Sequence, residues 1–458
     1  MARSLARNTR LMVSTLPMDG TTPFNIGNAD ATNTFEVKVL DGYNFSQDNA
    51  TQEIGVNEAG SSPVRGTLSF NTALNPVDVS FSTYVRPYDD GGNANCVENI
   101  LWQSAISSTL GAGVLQGTPS ISFHLNDSNV NELLTLTLFF ILENTTYVVE
   151  QFNVASAEVD FSIDDIARIN WAGNGSRVNE NQEVHDWLKT DGTFQPGTDY
   201  KVVPPTITTT FLRNKLSAIT LYDNKAAAAP LTDTISAIDV TSKIITLQTN
   251  TMTAGAYVGG RVRNTELAPD QWRTIIANDA STITVDEAVE GLPGYADWST
   301  TEAISLYTAA QHAEVTYSIA ITGATLTLEN NFTYLTPEEL AIVNLPLAGF
   351  AGNRAISGSL TAYLDTGADG TGGLLQDLLA KIEEVNNDYN LVFHMGGLST
   401  DTPRVDFVMP HAQISVPTTS VEDIISTEIS FAAKPWDTST DEGSFEATNE
   451  LTVTYYKP

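Results

Sequence analysis

The sequence predicts a mainly β protein in which one unit of strands and a single helix is built twice, the second copy carrying a small all-β insert. Three observations predict it. Apolar and polar residues alternate with period two over much of the chain, in stretches rich in Thr, Val, Ile, Phe and Tyr. A long motif occurs twice: Val154-Ala-Ser-Ala157-Glu-Val-Asp-Phe161, Ile163-Asp-Asp165-Ile166 and Arg168-Ile-Asn-Trp171-Ala172 match Pro410-His-Ala412-Gln-Ile-Ser-Val416, Val421-Glu-Asp423-Ile424 and Glu428-Ile-Ser-Phe431-Ala432. Residues 225–312 of the second copy have no counterpart in the first.

Strands are expected at 67–70, 77–84, 120–124, 135–141 and 154–163. The second copy predicts them at 216–222, 315–328, 356–364, 389–394, 405–408, 412–416 and 427–432. Glycines and Asn/Asp clusters mark the turns between them. Val97, Ile100, Leu101, Ala105 and Ser108 share one helical face and predict a helix over about 96–110. Leu374, Leu375, Leu378, Leu379, Ile382 and Val385 predict another over about 373–386. A short helix is expected from Thr336, with Pro337 suited to the first helical position and Glu338 and Glu339 favourable in the first turn.

The repeat extends beyond its longest motif. Arg7-Asn8 corresponds to Arg213-Asn214, each before an apolar strand. Ser80-Phe-Ser-Thr-Tyr84-Val85 corresponds to Ser359-Leu-Thr-Ala-Tyr363-Leu364. Each copy then runs through a polar loop, one amphipathic helix and further strands to the long motif. A repeated block of this kind suits rings and filaments. The expected organisation is a first domain at 1–205, a second at 206–224 plus 313–458, and an inserted small β domain at 225–312. The insert opens on Ala226-Ala-Ala-Ala-Pro230, a hinge-like stretch, with strands expected at 244–248, 256–263, 272–277 and 282–286. Its expected place is a surface loop, where insertion is tolerated.

Composition narrows the function. The chain has 458 residues and a 41% hydrophobic fraction, enough for two to four domains with real cores. Only 17% of residues are charged, yet 55 acids face 22 bases, for a net charge of −33. With 18 Phe, 15 Tyr and 6 Trp this is not a disordered acidic tail. The sign of the charge argues against a grip on nucleic acid, which needs Lys and Arg against phosphates. Cys96 is the only cysteine, so there is neither an internal disulfide nor a zinc spacing, and it reads as a buried small side chain. Arg3, Arg7 and Arg10 are followed by no apolar run of a signal peptide, and the apolar stretch 133–142 is too short to span a bilayer. A soluble protein made in a cytoplasm is expected.

No catalytic constellation stands out. His124, His185, His312, His394 and His411 form no metal spacing, although His124 and His394 are expected to end strands at comparable places in the two copies. Asp164-Asp165 and Glu422-Asp423 could be paired carboxylates, but an acid bonding local N–H groups in a turn explains them more simply. Asp365-Thr-Gly-Ala-Asp369-Gly370 lacks calcium-loop spacing. The Gly-rich stretches 111–117 and 367–373 lack a following Lys-Ser/Thr, and Ser61-Ser62 and Ser107-Ser108 lack a nucleophile elbow. No cofactor, metal or catalysis is expected. One pattern invites a functional reading: in 157–163 the polar residues point one way and Val159, Phe161 and Ile163 the other. Glu158 and Asp160, with Gln413 and Ser415 in the matching places, are candidates for a face lining a wet channel. An ordinary solvated sheet face is the plainer alternative.

Several motifs, in order, resemble the T-five-like siphophage tail tube proteins: Leu5-Ala-Arg7-Asn8-Thr9-Arg10, Val56-Asn57-Glu58-Ala59-Gly60, Pro63-Val-Arg65-Gly66 and Ser80-Phe-Ser-Thr-Tyr84. Trp171-Ala-Gly173-Asn174-Gly175, Leu335-Thr336-Pro337 and Gly358-Ser-Leu-Thr-Ala-Tyr363-Leu364 continue the likeness, which covers most of 1–225 and 313–440. The resemblance implies two fused tail-tube β-sandwich domains, each with a flanking helix. It implies three chains closing into a pseudo-six-fold ring, and rings stacking into a virion tube that conducts DNA. Tape measure, tail tip and tail terminator proteins are the implied partners, and the host bacterial cytoplasm the place of synthesis. The polar segment 41–66 resembles the family's extended loop, expected to touch a neighbouring ring. The insert at 225–312 is outside the family pattern, and the C-terminal immunoglobulin-like module of some relatives is not expected here. A tube of a contractile tail or secretion system, and a secreted carbohydrate-binding β protein, are the alternatives.

Overall fold

The computed structural model describes residues 9–18, 23–54, 68–125, 131–142, 145–163, 165–180, 196–202, 211–223, 231–258, 260–264, 271–285, 298–308, 316–336, 345–346, 348–367, 370–381, 389–397, 403–416, 418–420, 426–435 and 450–457. It is mainly β. The first part holds β1 (Arg10–Ser14), β2 (Thr34–Val37), β3 (Asn44–Ile54), β4 (Leu68–Tyr84), β5 (Pro87–Asp90), β6 (Asn93–Cys96), helix α1 (Asn99–Ile106), β7 (Val114–Gln116), β8 (Ser120–His124), β9 (Leu136–Ile141), β10 (Thr146–Asp160), β11 (Arg168–Gly175) and β12 (Arg177–Glu180). After β13 (Ala218–Asp223) come β14 (Leu231–Asp239), β15 (Ile244–Leu247), β16 (Arg261–Asn264), β17 (Gln271–Asn278), β18 (Thr282–Val285) and β19 (Ala303–Tyr307). The last part holds β20 (Thr316–Ser318), β21 (Ile321–Glu329), β22 (Thr333–Leu335), β23 (Ala348–Phe350), β24 (Ala355–Tyr363), helix α2 (Thr371–Lys381), β25 (Tyr389–Met395), β26 (Arg404–Ile414), β27 (Thr418–Ser420), β28 (Ser426–Ala433) and β29 (Thr452–Tyr456).

The repeat in sequence is a repeat in strand order. One antiparallel sheet runs β3-β4-β11-β10-β21-β24-β28-β26. Its first four strands come from the first copy and its last four, in matching order, from the second. β10 and β26 then continue into a second layer. There the ladders run β2-β1-β9-β10-β12 in the first copy and β20-β13-β25-β26-β29 in the second. The corresponding long strands thus cross from layer to layer. β26 does so at Pro410-His411, where the register shifts against β25, a position that tolerates a residue without an N–H.

Burial explains the layers. Ala157, Val159, Ile169, Trp171, Phe81 and Leu326 point between them and are almost fully buried. They join Leu138, Phe140, Leu391, Phe393 and Phe407 of the second layer in one core that spans both copies. At roughly 25 cal/mol per Å² of apolar surface, such burial is the main force holding the layers together. Gly358 fits this core because a Cβ there would run into the Thr325 carbonyl oxygen and the Phe431 ring. β8 of the first copy adds to β29, so the copies also interlock through the second layer.

The segment 231–307 closes separately into a six-stranded barrel, β14-β15-β18-β17-β16-β19. Its core is its own, built from residues such as Ile235, Ile245, Val262, Ile275, Ile283, Trp298 and Leu306.

Several local expectations change. α1 is shorter than 96–110, because Asn93–Cys96 is a strand and Ser107 is already extended at φ −149 and ψ 158. α2 begins at Thr371, whose hydroxyl accepts the Asp365 N–H, and 382–388 lie outside the described residues. Thr336 is not helical, and the rest of that expected helix, 337–344, is also outside them. The strand expected at 315–328 breaks into β20 and β21, and those at 405–408 and 412–416 are largely one strand. Residues 44–54 of the expected loop are strand, pairing with β4; 55–67 are outside the described residues. Among the described residues, no helix is long and apolar enough to cross a membrane.

Candidate functional site

The candidate site is the open face of the eight-stranded sheet. Successive residues of a strand face opposite ways, so the buried set fixes the other set outward. On β10 the burial runs Ala157 buried, Glu158 exposed, Val159 buried, Asp160 half-buried. On the neighbours the outward set is Ser80 and Ser82, Asn170 and Asn174, Thr325 and Thr327, Ser357 and Ser359, and Ser430. The face is therefore a field of short hydroxyl and amide side chains. Its acids are Asp78, Glu158, Asp160, Glu329 and Glu428, with Arg168 as a base among the described residues.

The four candidate residues share this face. Glu158 is flanked by Asn170 on β11 and Thr327 on β21. Asp160 stands between Arg168 and Thr325. Gln413 is exposed opposite Ala432, and the Ser415 N–H donates to the Ser430 carbonyl at 2.8 Å. Their correspondence needs correcting. Trp171 and Phe431 hold matching places in the motif; Trp171 lies opposite Ala157, but Phe431 lies opposite Ile414. Ser415 therefore takes the place of Glu158, and Gln413 that of Ser156. The shift is two residues, so the face is unchanged; alternation alone cannot detect an even slip.

Electrostatically the face stays anionic. Burial works against the Asp160 carboxylate. The Ser162 hydroxyl at 2.6 Å, its backbone N–H at 2.9 Å and the Arg168 guanidinium at 3.2 Å outweigh this and hold its pKa below the ordinary value. Arg168 also lies 3.8 Å from Asp165, so its charge is spent on local acids. The Asn174 amide donates to Asp78 at 2.6 Å.

The alternatives for chemistry find little in the fold. No cluster of three or more His, Cys, Asp or Glu suited to a metal occurs among the described residues. His124 and His394 do not occupy comparable places: His124 is on β8, with Thr452 at 3.1 Å, whereas His394 is on β25, with Asp406 at 2.9 Å. Burial lowers the His124 pKa. Asp165 accepts the Ile166 N–H at 2.8 Å in a turn, and Asp365 accepts the Gly367 N–H at 2.9 Å, the local roles expected of such acids. Asp164, Glu422, Asp423, His185 and His312 lie outside the described residues. The Cys96 thiol is buried, and burial pushes its pKa well up.

A sheet with one apolar and one small-polar face, duplicated in strand order, is the architecture of a building block. Comparison with known proteins agrees. The chain is 26% identical over 466 residues to the tail tube protein pb6 of Escherichia phage T5, covering 99% of this chain and 78% of that protein. This chain is a homologue of a T5 tail tube protein. The likeness read from short motifs thus spans almost the whole chain. No protein-family model matches it.

Sequence reasoning missed part of this face. The outward residues of β3 and β21 were not singled out, because Ser, Thr and Asn carry no chemical signal individually. The signal was collective: period-two small polar residues opposite an apolar set in both copies.

Proposed function

We propose that this chain is the structural subunit of a bacteriophage tail tube. Three chains close into a ring of pseudo-six-fold symmetry, rings stack, and the small-polar face lines the lumen through which DNA passes. The protein then belongs in the virion tail, works without catalysis, and has copies of itself and the other tail proteins as partners. One observation carries this reading: two copies of a four-stranded sheet, in the same strand order, meet edge to edge in one chain with a field of small polar side chains on the open face.

The physics of that face suits passage of DNA. Duplex DNA carries a negative charge per ~1.7 Å of axis, and a basic wall would hold it by releasing counterions. A face with Glu158, Asp160, Glu329 and Glu428 repels phosphates instead. With a screening length of about 8 Å at physiological salt, the repulsion acts only near the wall. Hydroxyl and amide side chains keep the remaining surface wet. The outlying part of the β3–β4 hairpin, beyond its pairing with β11, is a ribbon with Phe70 49% exposed. A two-stranded ribbon alone is marginally stable in water, so it is suited to pack on a neighbouring ring.

Negative-stain microscopy of the purified protein tests the reading. Hollow tubes or three-fold rings are expected. Compact monomers that persist at high concentration would refute it.

A further inference from the structure

The two copies are joined twice within the chain, once in each layer. In the sheet with the polar face the joint is β10 with β21, from Ser156 opposite Glu329 to Asp160 opposite Thr325. In the second layer the joint is β29. Its five residues, Thr452–Tyr456, pair on one side with 404–408 of β26 and on the other with 120–124 of β8. β8 belongs to the first copy and β26 to the second, so in this layer the copies meet through that one strand.

The first copy carries an added element for this joint. Residues 107–135 separate α1 from β9 and hold β7 and β8, whereas only 382–388 separate α2 from β25. The second copy has no length of chain for such a hairpin. The described ladder partners of β8 are β7 and β29. Without β29 the β7–β8 pair is a two-stranded hairpin, marginally stable in water, and β8 and 404–408 each present an open edge.

β29 is held at both ends as well as along its length. Val453 and Tyr455 face the core and are almost fully buried, with Tyr455 edge to face on Phe123 at 6.0 Å. On the other face Thr454 bonds Ser122 at 2.9 Å and Thr452 bonds His124 at 3.1 Å. Before the strand, Glu450 accepts from Arg354 of the second copy at 2.5 Å. After it, the Lys457 ammonium donates to Asp89 at 3.0 Å and to the Gly92 carbonyl at 2.7 Å, in the β5–β6 hairpin of the first copy.

The chain reaches β29 only through the connection 434–451, and synthesis delivers it after every strand it touches. Neighbouring strands turn relative to one another by anything from about −10 to −35°, so the β10–β21 ladder alone leaves the angle between the copies soft. A second ladder, in a layer about 10 Å away, fixes that angle. Repeated units close into a ring only when the rotation between them is the right one.

Resting on the tube reading above, we propose that β29 is a separable clasp. It enters the slot between β8 and β26 last, leaves it without unfolding the polar sheet, and by its seating sets the angle between the copies that ring closure requires. The slot takes an extended strand with apolar residues at alternate positions, an acid before it and a base after it.

A nicked full-length chain tests this. A protease recognition sequence is inserted between Thr440 and Asp441, and the folded protein is cut there, so that every residue remains. The cut chain is mixed with excess labelled peptide 441–458 in denaturant below the unfolding midpoint of the uncut protein. The label is expected to travel with the protein on size exclusion, and the same peptide carrying Val453→Asp and Tyr455→Asp is expected to stay free. Absence of exchange, or equal entry of the altered peptide, overturns the clasp. Cut chain stripped of 441–458 should form no tubes in negative stain and regain them when the peptide returns. Tubes formed without the peptide overturn the link to ring closure. Uncut protein that never forms rings or tubes overturns the tube reading itself, and peptide exchange still decides the clasp. If the stripped chain aggregates or fails to recover, the uncut variant Thr454→Pro decides, because proline removes a ladder N–H from a central strand. Amide exchange at 120–124 and 404–408 is expected to accelerate by at least about tenfold while 157–160 and 325–328 keep their protection. Equal acceleration in both layers overturns the proposal.

Discussion

The indole Nε1–H of Trp102 donates to the hydroxyl of Tyr455 at 2.8 Å. It joins α1 of the first copy to β29, the last strand of the second, and both side chains are fully buried. Trp102 also meets Trp171 edge to face, with ring centroids 5.0 Å apart. The two copies are thus joined at one aromatic cluster. Tyr455→Phe keeps the shape but leaves a buried donor unsatisfied, which costs about 1–3 kcal/mol. Chemical denaturation of the unassembled protein should show a loss of that size, with unchanged secondary structure.

Glu98, directly before α1, predicts a pH dependence. Burial pushes its carboxyl up to about 8, against stabilising bonds from backbone N–H groups and the attraction of Arg86. An unfolded Glu ionises near 4.3, so between about 4.3 and 8 the folded state holds a proton that the unfolded state has lost. This contribution to stability is present at low pH and declines as pH rises through that window. Glu98→Gln, neutral throughout, should gain stability relative to wild type between pH 5 and pH 8. A difference in denaturation midpoint that does not change with pH would show that Glu98 is ionised in the fold.

Glu158→Lys tests the proposed lumen. Glu158 is exposed and mid-strand, so tubes should still assemble. DNA ejection should slow by on the order of twofold or more at low salt and recover as salt is raised, because the effect is electrostatic. Asp160→Lys is a less clean probe, since Asp160 also anchors Arg168 and Ser162. Ejection kinetics identical to wild type at low salt would remove Glu158 from the channel.

Deleting 225–312 with a short linker should leave tube formation intact. The barrel at 231–307 has a hydrophobic core with no residue in common with the main one. Calorimetry should lose one transition and keep the rest in place. Failure of all assembly would make this segment an interface.

Legibility followed the strength of the apolar alternation. Ser120–His124 and Thr282–Val285 lie where the pattern predicts strands, because one face of each is buried. β3, Asn-Phe-Ser-Gln-Asp-Asn-Ala-Thr-Gln-Glu-Ile, has few apolar residues and no strand signal of its own; it is a strand because β4 supplies its backbone partners. The start of α1 is set by the preceding hairpin, β5–β6, which the helix's own periodicity could not reveal. The two-residue slip between Glu158 and Ser415 was invisible for a geometric reason: it preserves the face. The candidate residues could therefore be assigned to a side of the sheet from sequence, but not to their partners.

The internal joint of β10 with β21 also bears on how assembly starts. Bringing two free proteins together costs an estimated ~4–15 kcal/mol in translational and rotational freedom. Between copies on one polypeptide that cost is largely met during folding, and the halves meet at an effective concentration of about millimolar or above. In a ring of such chains every second joint is of this kind. The reaction order of nucleation is then half that of a ring built from separate copies, so the first ring can form at far lower protein concentration.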